Sequence, residues 1–544
     1  MLLEHIASPR DVKALDATAL PQLCDEVRRA ILENAAAVGG HLAPNLGVVE
    51  LTVALHRVFD SPRDKIIFDV SHQSYAHKVL TGRAAAFTDP AHYGEVSGFS
   101  NPHESEHDFF SMGHTSTSIS LACGLAKARD LAGERYNVVA VIGDGSLSGG
   151  LAFEGLDNAA VLNSGIVSWL MTTTSRSPKT MAESTAAWRA CAPRRNCSNN
   201  IFRAMGFDYR YLEEGNDVDS LVEALEALRG IDHPWCCTST PPKAPAMIRG
   251  ACARGLAPCW LLRHRIGPQA YAHLGRCPGG TYADITGAHL LEAMKRDPRV
   301  VGVTAGMPYV MGFTQERRAQ AGQQFVDVGI AEEHAVTFIT SLAAAGASAV
   351  FGVYGAFLQR SYDELWHDLC LNCAPATILD IGASVFGASA ETHLNYFDLA
   401  MLGSLPNLRV FAPTCVEEYL LMLDWSLGQR ELPVVIRVPG TKPVSRPDLV
   451  ADFTDAPDFS KPAYRVVKHG QDVAVLALGD FFELGERVVA ALAEHGIQAT
   501  LVNPRFASEF DEELISSLPD RTALLSRWKT ASSPADGAKR LPDA

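Results

Sequence analysis

No apolar run in this 544-residue chain approaches the roughly 18–20 residues that span a bilayer, so a membrane-spanning protein is not expected. The N-terminal stretch carries Glu4 and Asp11 and lacks the charged-then-apolar order of a signal peptide, which predicts a cytoplasmic location. A basic surface is missing too: the formal net charge is −15, the wrong sign for a nucleic-acid partner. An anionic small molecule would be held by local donors rather than by the overall field. Nor is a disulfide framework present. Such frameworks belong to small secreted chains, whereas seven of the twelve cysteines here crowd between residues 166 and 281. Cys370 and Cys373 form a lone CxxC with no second pair to complete a zinc site, and they read as buried thiols on a helix.

What is present is an ordinary globular composition, 47% hydrophobic and 20% charged, on a chain long enough for about three domains. In the first part β-branched runs at residues 66–70 and 137–142 flank an Ala/Leu-rich helical stretch at 116–132, the alternation of a parallel α/β fold. A second α/β block follows at about 282–439, with strands expected at 300–304, 349–354, 376–380 and 408–412. Pro443, Pro447, Pro457 and Pro462 mark an extended linker, because proline punctuates regular structure. Beyond it, a strand (472–478), a helix (484–494) and a strand (498–502) make one βαβ unit. The expected architecture is α/β, with three mainly parallel, helix-flanked sheets in series. The boundaries are 1–281, 282–445, a linker at 446–463, and a third domain, cut short, at 464–544.

Chemistry-bearing residues gather at the strand ends. Gly143-Asp144-Gly145-Ser146 stands where a strand stops, the edge at which open α/β sheets bind ligands. Glycines there admit a phosphate, and a carboxylate can hold a divalent cation bridging its oxygens. Gly113-His114-Thr115-Ser116 opens a helix and offers N–H groups and hydroxyls to an anion. His41 and His72 stand in Gly/Ser-rich turns, which suggests a polar cleft. In the second block, Asp327 to Ala335 (DVGIAEEHA) leads from a strand into a helix. Its acidic residues either stabilise the helix N-terminus or, taken with the GDG loop, serve a cofactor needing a phosphate anchor at one end and a carboxylate at the other.

Six segments, GGHLAPNLG (39–47), SHQSYAHKVLTGR (71–83), GHTSTSIS (113–120), GDGSLSGG (143–150), FVDVGIAEEHAV (325–336) and FLQRSYD (357–363), together resemble the 1-deoxy-D-xylulose-5-phosphate synthase family. The resemblance runs in order over about four-fifths of the chain. It implies three transketolase-like domains, thiamine diphosphate with Mg²⁺, and carboligation of pyruvate to glyceraldehyde 3-phosphate with release of CO₂, in a homodimer. It further implies that His72, Gly113, His114, Thr115, Gly145 and Ser146 line the cofactor and that Asp144 binds the metal. Glu332 would activate the pyrimidine ring, His41 would assist proton transfer beside His72, and Arg360 and His393 would face the substrate. Other thiamine-dependent chemistry of the transketolase kind, or an inactive pseudoenzyme, are the alternatives.

The resemblance fails in three windows, 166–198, 235–281 and 526–544, which hold five of the seven tryptophans. Residues 235–281 contain no Asp or Glu. Met171 stands where the family pattern has a second, asparagine metal ligand, and a thioether is a poor ligand for a hard cation. Gly382, Ser389 and Gly440 also replace polar residues of the family pattern at the substrate end. Read two bases later with permitted codons, residues 169–173 spell Val-Asn-Asp-Asn, and the other two windows also yield family-like segments at the same offset. The windows therefore read as out-of-frame translation, and little order is expected in them.

Overall fold

The structure, a computed structural model, describes residues 2–171, 200–239, 280–384, 391–451, 453, 457–518 and 524–528. The chain divides into two compact units, Met1–His273 and Leu274–Ala544.

In the first unit, β1 (Lys65–Phe68), β2 (Val138–Gly143), β3 (Val167–Met171), β4 (Asp208–Leu212) and β5 (Trp235–Ser239) form one sheet in the order β1-β2-β3-β5-β4. Every pairing is parallel. A parallel sheet is covered on both faces, so its strands read as unbroken apolar runs; β2 is VVAVIG, buried through its first five residues. Val139 and Val141 face one core with Trp169, while Val138, Ala140 and Ile142 face the other. Each such buried valine or isoleucine contributes roughly 1.5–3 kcal/mol. The helices Ser118–Ala132 and Gly150–Leu162 cover the second face, and Leu20–Val38, Val49–Val58 and Val218–Glu226 the first.

The second unit holds two sheets. β6 (Val300–Thr304), β7 (Phe325–Asp327), β8 (Ser348–Tyr354), β9 (Thr377–Ala383), β10 (Arg409–Phe411) and β11 (Val434–Pro439) form a parallel sheet in the order β10-β11-β9-β8-β6-β7. β12 (Arg465–Lys468), β13 (Val473–Ala477), β14 (Ala499–Asn503) and β15 (Leu524–Trp528) follow in the order β12-β14-β13-β15, with β12 antiparallel to its neighbour. The proline-marked segment between these sheets is packed rather than free: Leu449 and Phe459 are buried, and the Leu449 carbonyl accepts from Arg465 and Arg505. The Arg505 guanidinium also donates through Nε to Glu418 Oε1 at 2.8 Å, tying the last sheet to the helix Val416–Gly428.

Two of the three windows in which little order was expected begin as interior strands. β3 is the middle strand of its sheet, and β5 lies between β3 and β4. The reason is local: VSWLM and WCCTS are short, apolar or β-forming runs, buried on both faces apart from Trp235, and any such run extends a parallel sheet. In the third window, residues 526–528 complete β15. The rest of the windows lies outside the described residues. Among the described residues, no helix is long and apolar enough to cross a membrane.

Candidate active site

In the first unit the C-terminal edge of the sheet is assembled by one carboxylate. Asp69, just past β1, is fully buried. Its Oδ1 accepts from the Ser116 N–H at 2.8 Å and its Oδ2 from the Ser118 N–H at 3.0 Å. Burial raises its pKa, and those two backbone donors oppose the rise. The Ser116 hydroxyl then donates to the Ser146 carbonyl at 2.7 Å, joining the 113–118 loop to the GDG loop. Val70, Ser71 and Ser116 all have positive φ, at 60°, 67° and 73°. Such conformations cost of order 1–3 kcal/mol each for residues with side chains and persist where surrounding contacts hold them. Asp69 was not singled out from the sequence; its signal is an aspartate closing the apolar run IIFDV directly before a histidine turn.

The turns bearing the two histidines are joined by Asn45. Its amide donates to the His41 and His72 carbonyls at 2.5 and 2.8 Å, and its Oδ1 accepts from the Tyr75 N–H. The imidazoles meet edge-on with centroids 5.3 Å apart. Burial lowers the pKa of His41, keeping it neutral near pH 7, and its Nδ1 is buried without a hydrogen-bond partner. Gly40, at φ 129°, cannot carry a side chain: a Cβ would lie 2.7 Å from the Tyr75 hydroxyl. Gly113 is buried, and His114 and Thr115 stand partly exposed on the Asp69-held loop.

Asp144 and Met171 are neighbours at the ends of β2 and β3. Gly143 is the register partner of Met171, and the Asp144 N–H donates to the Met171 carbonyl at 3.0 Å. Asp144 Oδ1 accepts from the Gly145 N–H at 3.0 Å, and Ser146 is buried. The Met171 side chain is buried in the apolar core, where its sulfur accepts from the Ser239 hydroxyl at 3.3 Å. Among the described residues the edge thus offers a divalent cation one carboxylate, with the Met171 thioether turned into the core. Hard cations need several oxygen ligands, and among the described residues no group of three or more His, Cys, Asp or Glu could hold a metal. The described donor set does not fit Mg²⁺.

In the second unit, Asp327 at the end of β7 accepts from the Gly306 and Gly329 N–H groups at 2.8 and 3.1 Å, which sets the turn into the helix Glu332–Ala344. Glu332, first residue of that helix, is 3% exposed. Its Oε2 accepts no hydrogen bond, with the Arg360 guanidinium 3.8 Å away. Burial pushes its pKa up to about 6, against the pull of Arg360. Arg360 lies in the turn Gln359–Ser361, and just before it Phe357 meets the His393 ring edge-on at 5.2 Å. Glu332 and Arg360 are therefore brought together, with His393 against the segment that carries Arg360.

Beneath them, at β9 and β11, lies a buried set that sequence reasoning missed. Arg437 Nε donates to Asp398 Oδ2 at 2.6 Å, and the Asn395 amide donates to Asp380 Oδ1 at 2.8 Å. Burial, then the Asp398 charge, pushes the Asp380 carboxyl well above its usual range, so it keeps its proton. Gly355 lies so close that a Cβ would fall 2.1 Å from Asp380 Oδ1. The sequence signal was weak, since each charge sits singly inside an apolar strand or at a helix start.

Three family descriptions match this chain: 1-deoxy-D-xylulose-5-phosphate synthase over residues 3–171, transketolase pyrimidine binding domain over 280–442, and transketolase C-terminal domain over 463–529. The first match stops at Met171. A 1-deoxy-D-xylulose-5-phosphate synthase of Symbiobacterium thermophilum is 39% identical, covering 95% of this chain and 83% of its own length. A 1-deoxy-D-xylulose-5-phosphate synthase 1 of Geobacter metallireducens is 38% identical, covering 96% and 88%. That of Thermomicrobium roseum is 36% identical over 95% and 86%. The chain belongs to the 1-deoxy-D-xylulose-5-phosphate synthase family, thiamine-diphosphate-dependent transferases of transketolase-like α/β fold.

Proposed function

We propose that this chain carries out the carboligation of its family, joining pyruvate to glyceraldehyde 3-phosphate with release of CO₂. The observation that carries the reading is Glu332: a buried carboxylate at a helix start, with one oxygen left without a hydrogen bond and its pKa near 6. Bound thiamine diphosphate supplies the carbon that takes up pyruvate and the electron sink for decarboxylation. Glu332 would meet the pyrimidine end and, once ionised, favour a proton on the ring nitrogen. In the first unit the loop held by Asp69, with Gly113, His114 and Thr115, and the Gly145-Ser146 turn would hold the diphosphate through N–H and hydroxyl donors. His41, neutral and with a free ring nitrogen, would move a proton beside His72. Arg360 and His393 would face the substrate. Asp144 is the carboxylate that Mg²⁺ would meet, and among the described residues the donors around it are too few for a hard cation.

The same family reading carries a homodimer working in the cytoplasm, which analytical ultracentrifugation and cell fractionation test. The test of activity is release of labelled CO₂ from pyruvate that depends on glyceraldehyde 3-phosphate, with the ketose product followed by NMR. Ketose transfer without CO₂ release would overturn the reading. We also infer that the three windows are out-of-frame translation, an inference supported by the stop of the synthase match at Met171 and the next match at 280. Codons that forbid the alternative segments would refute it.

A further inference from the structure

We propose that Phe99 is a positioning residue for His41: the pinned loop 97–108 sets the Phe99 ring against the imidazole and shuts water from that flank. The role rests on the proton-transfer reading of His41 given above. The two rings meet at 72° with centroids 5.5 Å apart, and His72 meets the same imidazole at 5.3 Å. Phe99 is only 7% exposed, yet among the described residues it joins neither of the two apolar cores of its unit. Hydrophobic burial has no direction. It explains why the ring is covered, and not why it is covered by a histidine turn.

The placement comes from the chain on either side of Phe99. Residues 97–108 form neither helix nor strand, and side chains fix the backbone in place of a ladder. Glu104 Oε1 accepts from the Ser97 N–H at 2.7 Å, and the Ser97 hydroxyl donates to the Phe99 carbonyl at 2.7 Å. The Ser71 hydroxyl accepts from the Ser100 N–H at 2.8 Å, and Asp108 Oδ2 from the Asn101 N–H at 2.8 Å. Both acids are gripped in turn from the segment that follows His72. Lys78 pairs with Glu104, Arg83 donates to the two Asp108 oxygens at 2.8 and 2.9 Å, and His77 Nε2 lies 3.0 Å from Asp108 Oδ1. The Lys78 and Asp108 side chains are fully buried, where charges persist only if paired and hydrogen-bonded. Through Ser71 the loop and the His72 turn make one frame around His41.

Among the described residues of this unit, the titratable groups facing His41 are His72 and the Tyr75 hydroxyl, which accepts from the His41 N–H at 3.3 Å. Burial is the cause of the lowered His41 pKa, so letting water in beside the ring must raise it.

Imidazole ¹H–¹³C NMR of the full chain without cofactor reads this directly, the His41 signal being assigned by its loss in His41→Asn. Wild-type His41 is expected to titrate below the ordinary imidazole value of about 6.5. Phe99→Ala should move the midpoint up by a fraction of a pH unit or more, and Phe99→Leu, which keeps the flank apolar, should move it less in the same direction. An unmoved midpoint in a Phe99→Ala chain whose circular dichroism matches wild type would overturn the proposal. If the alanine variant does not fold, an unmoved midpoint in Phe99→Leu does the same. In the CO₂-release assay, Phe99→Ala should lower kcat about tenfold or more with KM for pyruvate within about twofold, because the ring is displaced rather than the substrate released. An unchanged kcat, or a loss carried by KM alone, would also overturn it. A wild-type chain that releases no CO₂ from pyruvate, with the His41 midpoints as expected, would sink the carboligation reading and leave the hold of Phe99 on His41 standing.

Discussion

Asp69 in the first unit and Glu332 in the second are both buried carboxylates at the C-terminal edge of a parallel sheet, and burial raises the pKa of both. They differ in what their oxygens touch. Asp69 accepts one backbone N–H on each oxygen, whereas Glu332 Oε2 accepts none and has the Arg360 guanidinium 3.8 Å away. Burying a polar atom without a partner costs free energy that folding alone would not retain. The saturated carboxylate builds a loop, and the unsaturated one is held open for a ligand. Unpaired buried acids with shifted pKa values mark functional sites for this reason.

The largest expected effect breaks the comparison at its open end. Glu332→Gln keeps the shape and removes the charge, and should lower kcat/KM by about 10²–10⁴-fold, the usual range for a lost acid–base group. The pH profile carries the sign. Wild-type Glu332 keeps its proton below pH about 6 and is ionised above it, so activity should rise as pH climbs through that value. The glutamine variant should lose that limb while its thermal unfolding stays the same or improves, because an uncompensated buried charge is gone.

Glu418 extends the comparison to a third, fully saturated carboxylate. Its Oε1 accepts from Asn503 and Arg505, and its Oε2 from the Thr414 N–H. Glu418→Ala would strand the buried Arg505 guanidinium, costing about 3–5 kcal/mol in denaturant unfolding. Enough of the chain that stays folded should keep the wild-type pH limb, since Glu418 builds and does not react.

Asp69→Asn is a smaller version of the same test. An amide offers one acceptor oxygen in place of two, so one of the Ser116 and Ser118 N–H groups loses its partner, at about 1–3 kcal/mol. The 113–118 loop should loosen, read as faster amide exchange there and weaker thiamine diphosphate binding by calorimetry. Unchanged exchange would show that the Ser116–Ser146 bond alone holds the loop.

Much of this arrangement was legible in the chain. The run at 300–304 became β6 residue for residue, and the other expected strands in these blocks formed with ends shifted by a few residues at most, because a parallel strand between two helical layers can only be an unbroken apolar run. Gly113, Asp144 and Glu332 were visible because each lies in a short segment, GHTSTSIS, GDGSLSGG or FVDVGIAEEHAV, whose order along the chain matches the family pattern. Asp69, Asn45 and Arg437 were not. Their importance lies in partners distant in the sequence, and no spacing rule reports that Asp69 will meet Ser116 or that Arg437 will meet Asp398. The starts of two windows differ from the expectation for a related reason: VSWLM and WCCTS are short apolar or β-forming runs that a sheet accepts, while the rest of those windows lies outside the described residues.

The smallest expected effect tests the Arg360 cation near Glu332. Arg360 lies 3.8 Å from Oε2, with its side chain 17% exposed, a distance at which the pair attracts without a hydrogen bond. Its charge favours the ionised carboxylate and partly offsets burial. Arg360→Gln removes that charge, so the Glu332 pKa should rise above 6 and the acid limb of kcat/KM should move to higher pH, by a fraction of a unit to about one unit. Raising ionic strength should move the wild-type limb the same way but less, since the pair is mostly shielded from salt. If Arg360 also grips substrate, KM for pyruvate or for glyceraldehyde 3-phosphate will rise as well, and the affected substrate names the group it holds. A limb that stays at pH 6 in Arg360→Gln would mean that Glu332 owes its shift to burial alone and that Arg360 serves the substrate only.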